Sequence, residues 1–197
     1  MQKAESLQRT GSFKYRGALN KILSLGEKGR ARGVVTYSVG NHGHAVSAGA
    51  KLFGCPATIV LPSNAVPNKV ANCKWWGAET IFYDPASERR EDVASDLIEK
   101  RGLAFIPPFD DEFVMAGQGT TGLEACKQLK ERSVMPDVVL VNTAAVWLPV
   151  SSRPSSISIR TPNVTSSNST ATRRWRPLSL LANLSASQLP TRQSWME

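Results

Sequence analysis

Between Gly33 and Asn142 the chain alternates short runs of β-branched and aliphatic residues with longer stretches whose apolar positions recur at helical spacing. Val34-Val35-Thr36-Tyr37 predicts a buried strand, and Asn41 to Phe53 a helix rich in small residues. Ala57 to Leu61 predicts a second strand, stopped by Pro62. A helix then runs from Pro67 to about Trp76, with proline at a permitted first-turn position. Thr80 to Tyr83 is a third strand, and Ser87 to Arg101 a charged helix that turns Val93, Leu97 and Ile98 inward. Leu103 to Ile106 reads as a short strand, Gly119 to Arg132 as a helix, and Asp137 to Asn142 as the closing strand. Strands that alternate with helices imply βαβ units: an α/β fold with a mainly parallel, helix-covered sheet. Its crossovers should be right-handed, and ligands should bind at the carboxyl ends of the strands.

After Asn142 the period is lost. Residues 144–197 hold 17 Ser/Thr with scattered Arg and Pro, a composition that predicts a disordered, basic tail. Three Asn-x-Ser/Thr triplets there, beginning at Asn163, Asn168 and Asn183, read as chance in a Ser/Thr-rich segment.

Composition narrows the class. A hydrophobic content of 41% is ordinary for a globular protein, and no apolar run approaches the length of a membrane span. The first residues, Met1-Gln2-Lys3-Ala4-Glu5-Ser6, have no apolar core of a secretory signal. Cys55, Cys73 and Cys126 are odd in number, widely spaced and without zinc-site spacing. These features point to a cytoplasmic protein with no membrane partner and no metal. The formal charge of +8 raises nucleic-acid binding. However, residues 1–143 hold 18 Lys/Arg against 15 Asp/Glu, a net of +3, while residues 144–197 hold six Arg against one Glu, a net of +5. The excess belongs to the aperiodic tail, so nucleic acid is not the expected partner.

Two stretches carry candidate chemistry. Lys14 follows a Thr10-Gly11-Ser12 turn and opens a segment with Ala18, Leu19, Ile22 and Leu23 at helical spacing. Lysine forms Schiff bases with carbonyl compounds, pyridoxal phosphate among them, although one at a helix start is also commonly a solvated charge. Directly after the first strand comes Ser38-Val39-Gly40-Asn41-His42-Gly43. A glycine-bearing turn into a helix N-terminus presents backbone N–H groups to an anion such as a substrate carboxylate. The plainer alternatives are a helix cap made by Ser38 or Asn41 and a structural His42.

Taken together, Ser12-Phe13-Lys14-x-Arg16-Gly17-Ala18, a strand, and Ser38-x-Gly40-Asn41-His42-Gly43 resemble the fold-type II pyridoxal-phosphate enzymes, most of all the serine/threonine dehydratase and serine racemase group. Ala50-Lys51-Leu52, Gly54-x-Pro56-Ala57, Ile59-Val60-Leu61-Pro62, Gly77-Ala78-Glu79 and Ala116-Gly117-Gln118-Gly119-Thr120 extend the resemblance over about residues 5–143. It implies that Lys14 holds pyridoxal 5'-phosphate as a Schiff base and that its freed amine removes the α-proton. It also implies that Phe13 packs beside the cofactor ring and Asn41 hydrogen-bonds the cofactor phenol oxygen. Ser38, Gly40, Asn41 and His42 would surround the carboxylate of a small amino-acid substrate. The implied activity is conversion of L-threonine or L-serine to a 2-oxo acid and ammonia, in a homo-oligomer. Racemases of the group carry a serine at the position of Val39, as the acid/base opposite the lysine; valine has no transferable proton, so racemisation is the secondary expectation.

The resemblance further implies that residues 1–24 are a remnant of a large domain bearing the lysine, that 25–142 are a small α/β domain with the start of the return to the large one, and that 143–197 lie outside the family. Only a short segment precedes the lysine motif, where the family has several tens of residues. Where the family has a glycine run that cradles the cofactor phosphate, this chain has Ala144-Ala145-Val146-Trp147-Leu148-Pro149-Val150. A one-nucleotide frame change would explain the replacement. If Thr143 is encoded ACG and followed by GCG GCG GTT TGG CTG CCG GTG, reading from its last G yields Gly-Gly-Gly-Leu-Ala-Ala-Gly. The chain as written is therefore expected to be marginally stable and weakly active or inactive, with a non-catalytic, partner-binding fragment as the other possibility.

Overall fold

The computed structural model describes residues 1–136 and Val139. The strand expected over Asp137–Asn142, Val139 apart, and the tail after Thr143 lie outside the described residues. Residues Met1–Met135 belong to one compact unit. Its elements are a short 3₁₀ turn at Glu5–Leu7, then α1 (Lys14–Ser24), α2 (Gly26–Arg32), β1 (Val34–Tyr37), α3 (Asn41–Leu52), β2 (Ala57–Pro62), α4 (Pro67–Trp75), β3 (Glu79–Tyr83), α5 (Arg90–Arg101), β4 (Ala104–Phe105) and α6 (Glu112–Glu131).

The four strands form one parallel sheet in the order β3-β2-β1-β4, as the alternation of strands and helices predicts. Val34 pairs with Ala57 on one side and Ala104 on the other, which makes β1 a central strand. Both sheet faces are covered, which is why β1 and β2 read as continuous apolar runs rather than alternating ones. On one face Val34, Ile59 and Leu61 pack with Tyr15, Ala18 and Ile22 of α1, with the alanines of α3 and with Cys73 of α4. On the other, Val35 and Val60 pack with Ala94 and Leu97 of α5 and with Leu103. Fully buried side chains such as Ile22, Ile59 and Leu61 each contribute about 1.5–3 kcal/mol by leaving water.

The small residues of α3 have a packing reason. A methyl on Gly49 would stand 3.1 Å from both Ile22 Cδ1 and Leu19 Cδ1, so α1 lies against α3 at the closest spacing those side chains allow. The crossing of α1 with α6 is tighter. A Cβ on Gly117 would stand 2.6 Å from the Arg16 carbonyl oxygen and from Gly17 Cα, both backbone atoms. Gly117→Ala must therefore push α1 away from α6, at a cost of about 1–3 kcal/mol. Denaturant unfolding should show a lowered midpoint with an unchanged slope; an unmoved midpoint would mean that the two helices are not held at this distance.

Three local differences from the sequence expectation have physical causes. α6 begins at Glu112 rather than near Gly119, because Asp111 caps it by accepting the Val114 N–H at 3.0 Å and Gly117 serves packing rather than termination. α5 begins at Arg90, because Asp84 organises the preceding residues into a turn, taking the Ala86 N–H at 3.0 Å and the Ser87 hydroxyl at 3.0 Å. The glycine-rich and charged segment of α2 carries no apolar period to mark it as a helix; it buries only Gly29.

Candidate active site

β1 and β4 are neighbours, and the chain leaves their carboxyl ends into α3 and toward α6. This is the place in an open α/β sheet where ligands bind. The turn after β1 is Ser38-Val39-Gly40, and the segment after β4 is Ile106-Pro107-Pro108.

Ser38 Oγ accepts the Gly40 N–H at 3.2 Å within the turn; it does not cap α3, whose N-cap is Gly40 with no side-chain cap. A Cβ placed on Gly40 would meet nothing within 4 Å, so the uncapped end of α3 opens onto free space. Gly43 closes the turn from inside: a Cβ there would stand 2.5 Å from the Ser38 carbonyl oxygen. Asn41 is exposed in the first helical turn, and Val39 is 46% exposed. Backbone N–H groups and a positive helix end thus face open space, an arrangement suited to a carboxylate.

His42 points the other way. Its ring is 3% exposed, and Nε2 lies 3.1 Å from the Ile106 carbonyl oxygen. A carbonyl can only accept, so Nε2 carries the proton and Nδ1 is bare; Nδ1 is buried with no protein partner. Burial, reinforced by the charge of Lys14 and opposed by the Ile106 carbonyl, holds the imidazole pKa down at about 4. His42 is therefore neutral at physiological pH.

Lys14 is the first residue of α1, and its own N–H donates to Ser12 Oγ at 3.3 Å. Its side chain is half-buried; Nζ donates to the Pro108 carbonyl at 2.6 Å and lies 5.6 Å from the centre of the Phe13 ring. Desolvation lowers its pKa, which raises the fraction of free amine available as nucleophile or base. Lys14 and His42 are linked through Ile106–Pro108, a segment that carried no motif and was not singled out in the sequence.

A second arrangement escaped sequence reasoning. Arg16, inside the lysine motif, bonds both oxygens of Glu5 (2.8 and 2.9 Å) and both oxygens of Glu124 (2.7 Å each), and Nη1 also donates to Thr120. Its hydrogen bonds to Glu124 and Glu5 raise the guanidinium pKa further. The Arg16 bonds, with that of Lys3, hold the Glu124 carboxyl at about 2. Lys21 of α1 pairs with Asp111, the cap of α6, at 2.6 Å. These contacts span the chain from residue 5 to residue 124 and lock the helix that presents Lys14; an Arg, two Glu and an Asp so far apart in sequence leave no local signal.

Among the described residues no helix is long and apolar enough to cross a membrane, and no cluster of His, Cys, Asp and Glu could hold a metal ion. The described groups suit a different occupant. A desolvated amine beside an aromatic ring fits an aldehyde cofactor that lysine binds covalently, and the open α3 terminus fits the carboxylate of an amino acid. The expected phosphate loop after Thr143 lies outside the described residues.

Comparison with known proteins agrees. Residues 2–146 match the family described as pyridoxal-phosphate dependent enzyme, and the chain belongs to that family. Within it, the chain is similar to serine racemase and threonine ammonia-lyase. It is 43% identical over 127 residues to a serine racemase of Schizosaccharomyces pombe, covering 64% of this chain and 39% of that protein. It is 45% identical over 139 residues to an L-threonine ammonia-lyase of Thermotoga maritima, covering 71% of this chain and 33% of that protein. The crystal structure of serine racemase from Dictyostelium discoideum superposes with a TM-score of 0.64 at 39% identity, over 70% of this chain and 43% of that one. The chain thus covers less than half the length of these relatives. The fold-type II resemblance and the pyridoxal-phosphate cofactor are established by these matches; the exact reaction is divided among the relatives.

Proposed function

We propose that this chain carries the lysine-bearing half of an ammonia-lyase that converts L-threonine or L-serine to a 2-oxo acid and ammonia. The observation that carries the choice is Val39. It stands exposed on the open turn between β1 and α3, beside the helix end suited to the substrate carboxylate, and its side chain holds no exchangeable proton. Elimination needs one base, whereas racemisation needs proton delivery to both faces of the α-carbon.

Pyridoxal phosphate bound at Lys14 supplies an electron sink for the pair left on the α-carbon. Lys14 would hold the cofactor and, as a free amine, would take the α-proton; desolvation favours the neutral amine this requires. Phe13 lies beside Lys14 Nζ, in position to flank the cofactor ring. Asn41, exposed at the head of α3, would hydrogen-bond the cofactor phenol oxygen. Ser38, Gly40, Asn41 and His42 bind the substrate carboxylate, and His42 does so through its backbone N–H, because its ring is turned inward to Ile106. The β-hydroxyl leaves with a proton as water, and addition of water then releases ammonia and the 2-oxo acid.

Serine racemase is the second reading, supported by the identity to the Schizosaccharomyces pombe enzyme. Ala144–Val150 replace the glycine run expected to bind phosphate, so the chain as written should turn over weakly and a frame-restored version strongly. The test supplies each with pyridoxal phosphate and measures 2-oxo acid from L-threonine and L-serine, together with D-serine from L-serine. Oxo acid should exceed D-serine, and Val39→Ser should raise the D-serine share. D-serine formed as fast as pyruvate by the frame-restored protein would overturn the lyase reading in favour of the racemase.

A further inference from the structure

Ile106-Pro107-Pro108 is anchored more firmly than a connecting segment requires. The Ile106 N–H donates to the Val35 carbonyl at 2.9 Å, extending the β4–β1 ladder, and its carbonyl accepts from His42 at 3.1 Å; Ile106 itself is fully buried. At the far end, Asp111 is held by Lys21 of α1 and by its cap bond to Val114. Between the anchors, each proline ring restricts its own φ, and Pro108 also restricts Pro107 before it. The one carbonyl in this stretch that meets a charged side chain is that of Pro108, which accepts Lys14 Nζ at 2.6 Å. The other cations of α1 are already committed: Arg16 to Glu5 and Glu124, Lys21 to Asp111.

We propose that His42 is a positioning residue for Lys14, acting through the Ile106–Pro108 strap: its ring N–H fixes the Ile106 carbonyl, and the stiff diproline carries that anchor to the Pro108 carbonyl that docks the lysine amine. The motif histidine is thus coupled to the motif lysine without touching it. The docked amine is held at one place until the cofactor takes it. The proposal rests on Lys14 as the cofactor-binding lysine, but the coupling can be read without cofactor.

The experiment is competitive acylation of the full chain in the absence of pyridoxal phosphate, with an N-hydroxysuccinimide ester in pulses at several pH values. The labelling rate at Lys14 is read by peptide mass spectrometry relative to exposed Lys51. Two variants separate position from polarity. Glutamine at 42 can place an N–H where Nε2 stands, and asparagine cannot. His42→Asn should speed Lys14 labelling at least about fivefold at each pH, the scale of a lost charge-assisted hydrogen bond. His42→Gln should stay within about twofold of the parent, given the retained donor. Pro107→Gly, which leaves the His42 bond in place but frees the strap, should behave like His42→Asn. Equal rates in the asparagine and glutamine variants, no response to Pro107→Gly, or a parallel rise at Lys51 would each overturn the proposal. Borohydride trapping of pyridoxal phosphate at residue 14 in the frame-restored parent tests the function separately, so the two failures are distinguishable.

Discussion

Lys14→Ala should abolish covalent capture of pyridoxal phosphate, and Lys14→Arg should do no better, because an always-protonated guanidinium cannot act as the nucleophile. The structure makes this expectation specific to one lysine. Lys14 is half-buried with a lowered pKa, beside an aromatic ring and against a backbone carbonyl. Lys28, Lys51, Lys69, Lys74, Lys100, Lys127 and Lys130 are exposed, and Lys3 and Lys21 are paired to carboxylates. Mixing the protein with pyridoxal phosphate, reducing with borohydride and mapping the adduct should place the mass gain at residue 14. In the frame-restored enzyme, turnover should fall by at least about 100-fold in Lys14→Ala, the scale of a lost general base. An adduct spread over several lysines, or one that survives Lys14→Ala, would remove the lysine from its assigned role.

The second large effect is loss of stability in mild acid. The His42 ring is neutral when folded, with a pKa of about 4 against an ordinary 6.5, chiefly because it is buried. A histidine whose folded pKa is depressed stabilises the fold fully above pH 6.5, and that contribution is lost as pH falls toward 4, because the unfolded chain binds the proton first. The difference between these values corresponds to about 3 kcal/mol. Urea unfolding at neutral pH and near pH 4 should show the parent losing roughly this much, and His42→Gln losing correspondingly less. Parallel losses in the two proteins would show that His42 is not the group that titrates. Glu124, held at about 2 against an ordinary 4.5, follows the same rule in a more acidic window, which begins where that of His42 ends. Its contribution is smaller because the carboxylate is 45% exposed and screened by water.

Much of the fold was legible before the structure. Val34–Tyr37, Ala57–Leu61 and Thr80–Tyr83 are strands because each is an apolar, β-branched run bounded by turn residues, and the longer periodic stretches between them are helices. Prediction weakened where tertiary contact sets local structure. The start of α6 is one such place: a glycine at 117 looks like a breaker until α1 is seen lying against it. The candidate site divides in the same way. Lys14 and the Ser38–Gly43 turn could be named as candidates from residue type and spacing, because the reactivity of an amine and an uncapped helix end depend on local chemistry. That His42 turns its ring inward could not, since the acceptor is a backbone carbonyl 64 residues away. Every residue offers such a carbonyl, and sequence does not say which one a ring will meet.

By itself, then, the sequence determined the α/β class, the candidate lysine, the candidate anion-binding turn and the absence of a proton-bearing side chain at position 39, since these depend on residue identity and short-range period. Only the tertiary structure decided how they cooperate: the parallel order β3-β2-β1-β4 sets the turn after β1 beside the segment after β4, and the Ile106 and Pro108 carbonyls then bring the histidine and the lysine into one arrangement. The physical reason is that backbone hydrogen bonds and close glycine contacts join positions far apart in the chain, and neither leaves a mark in the residues that make them.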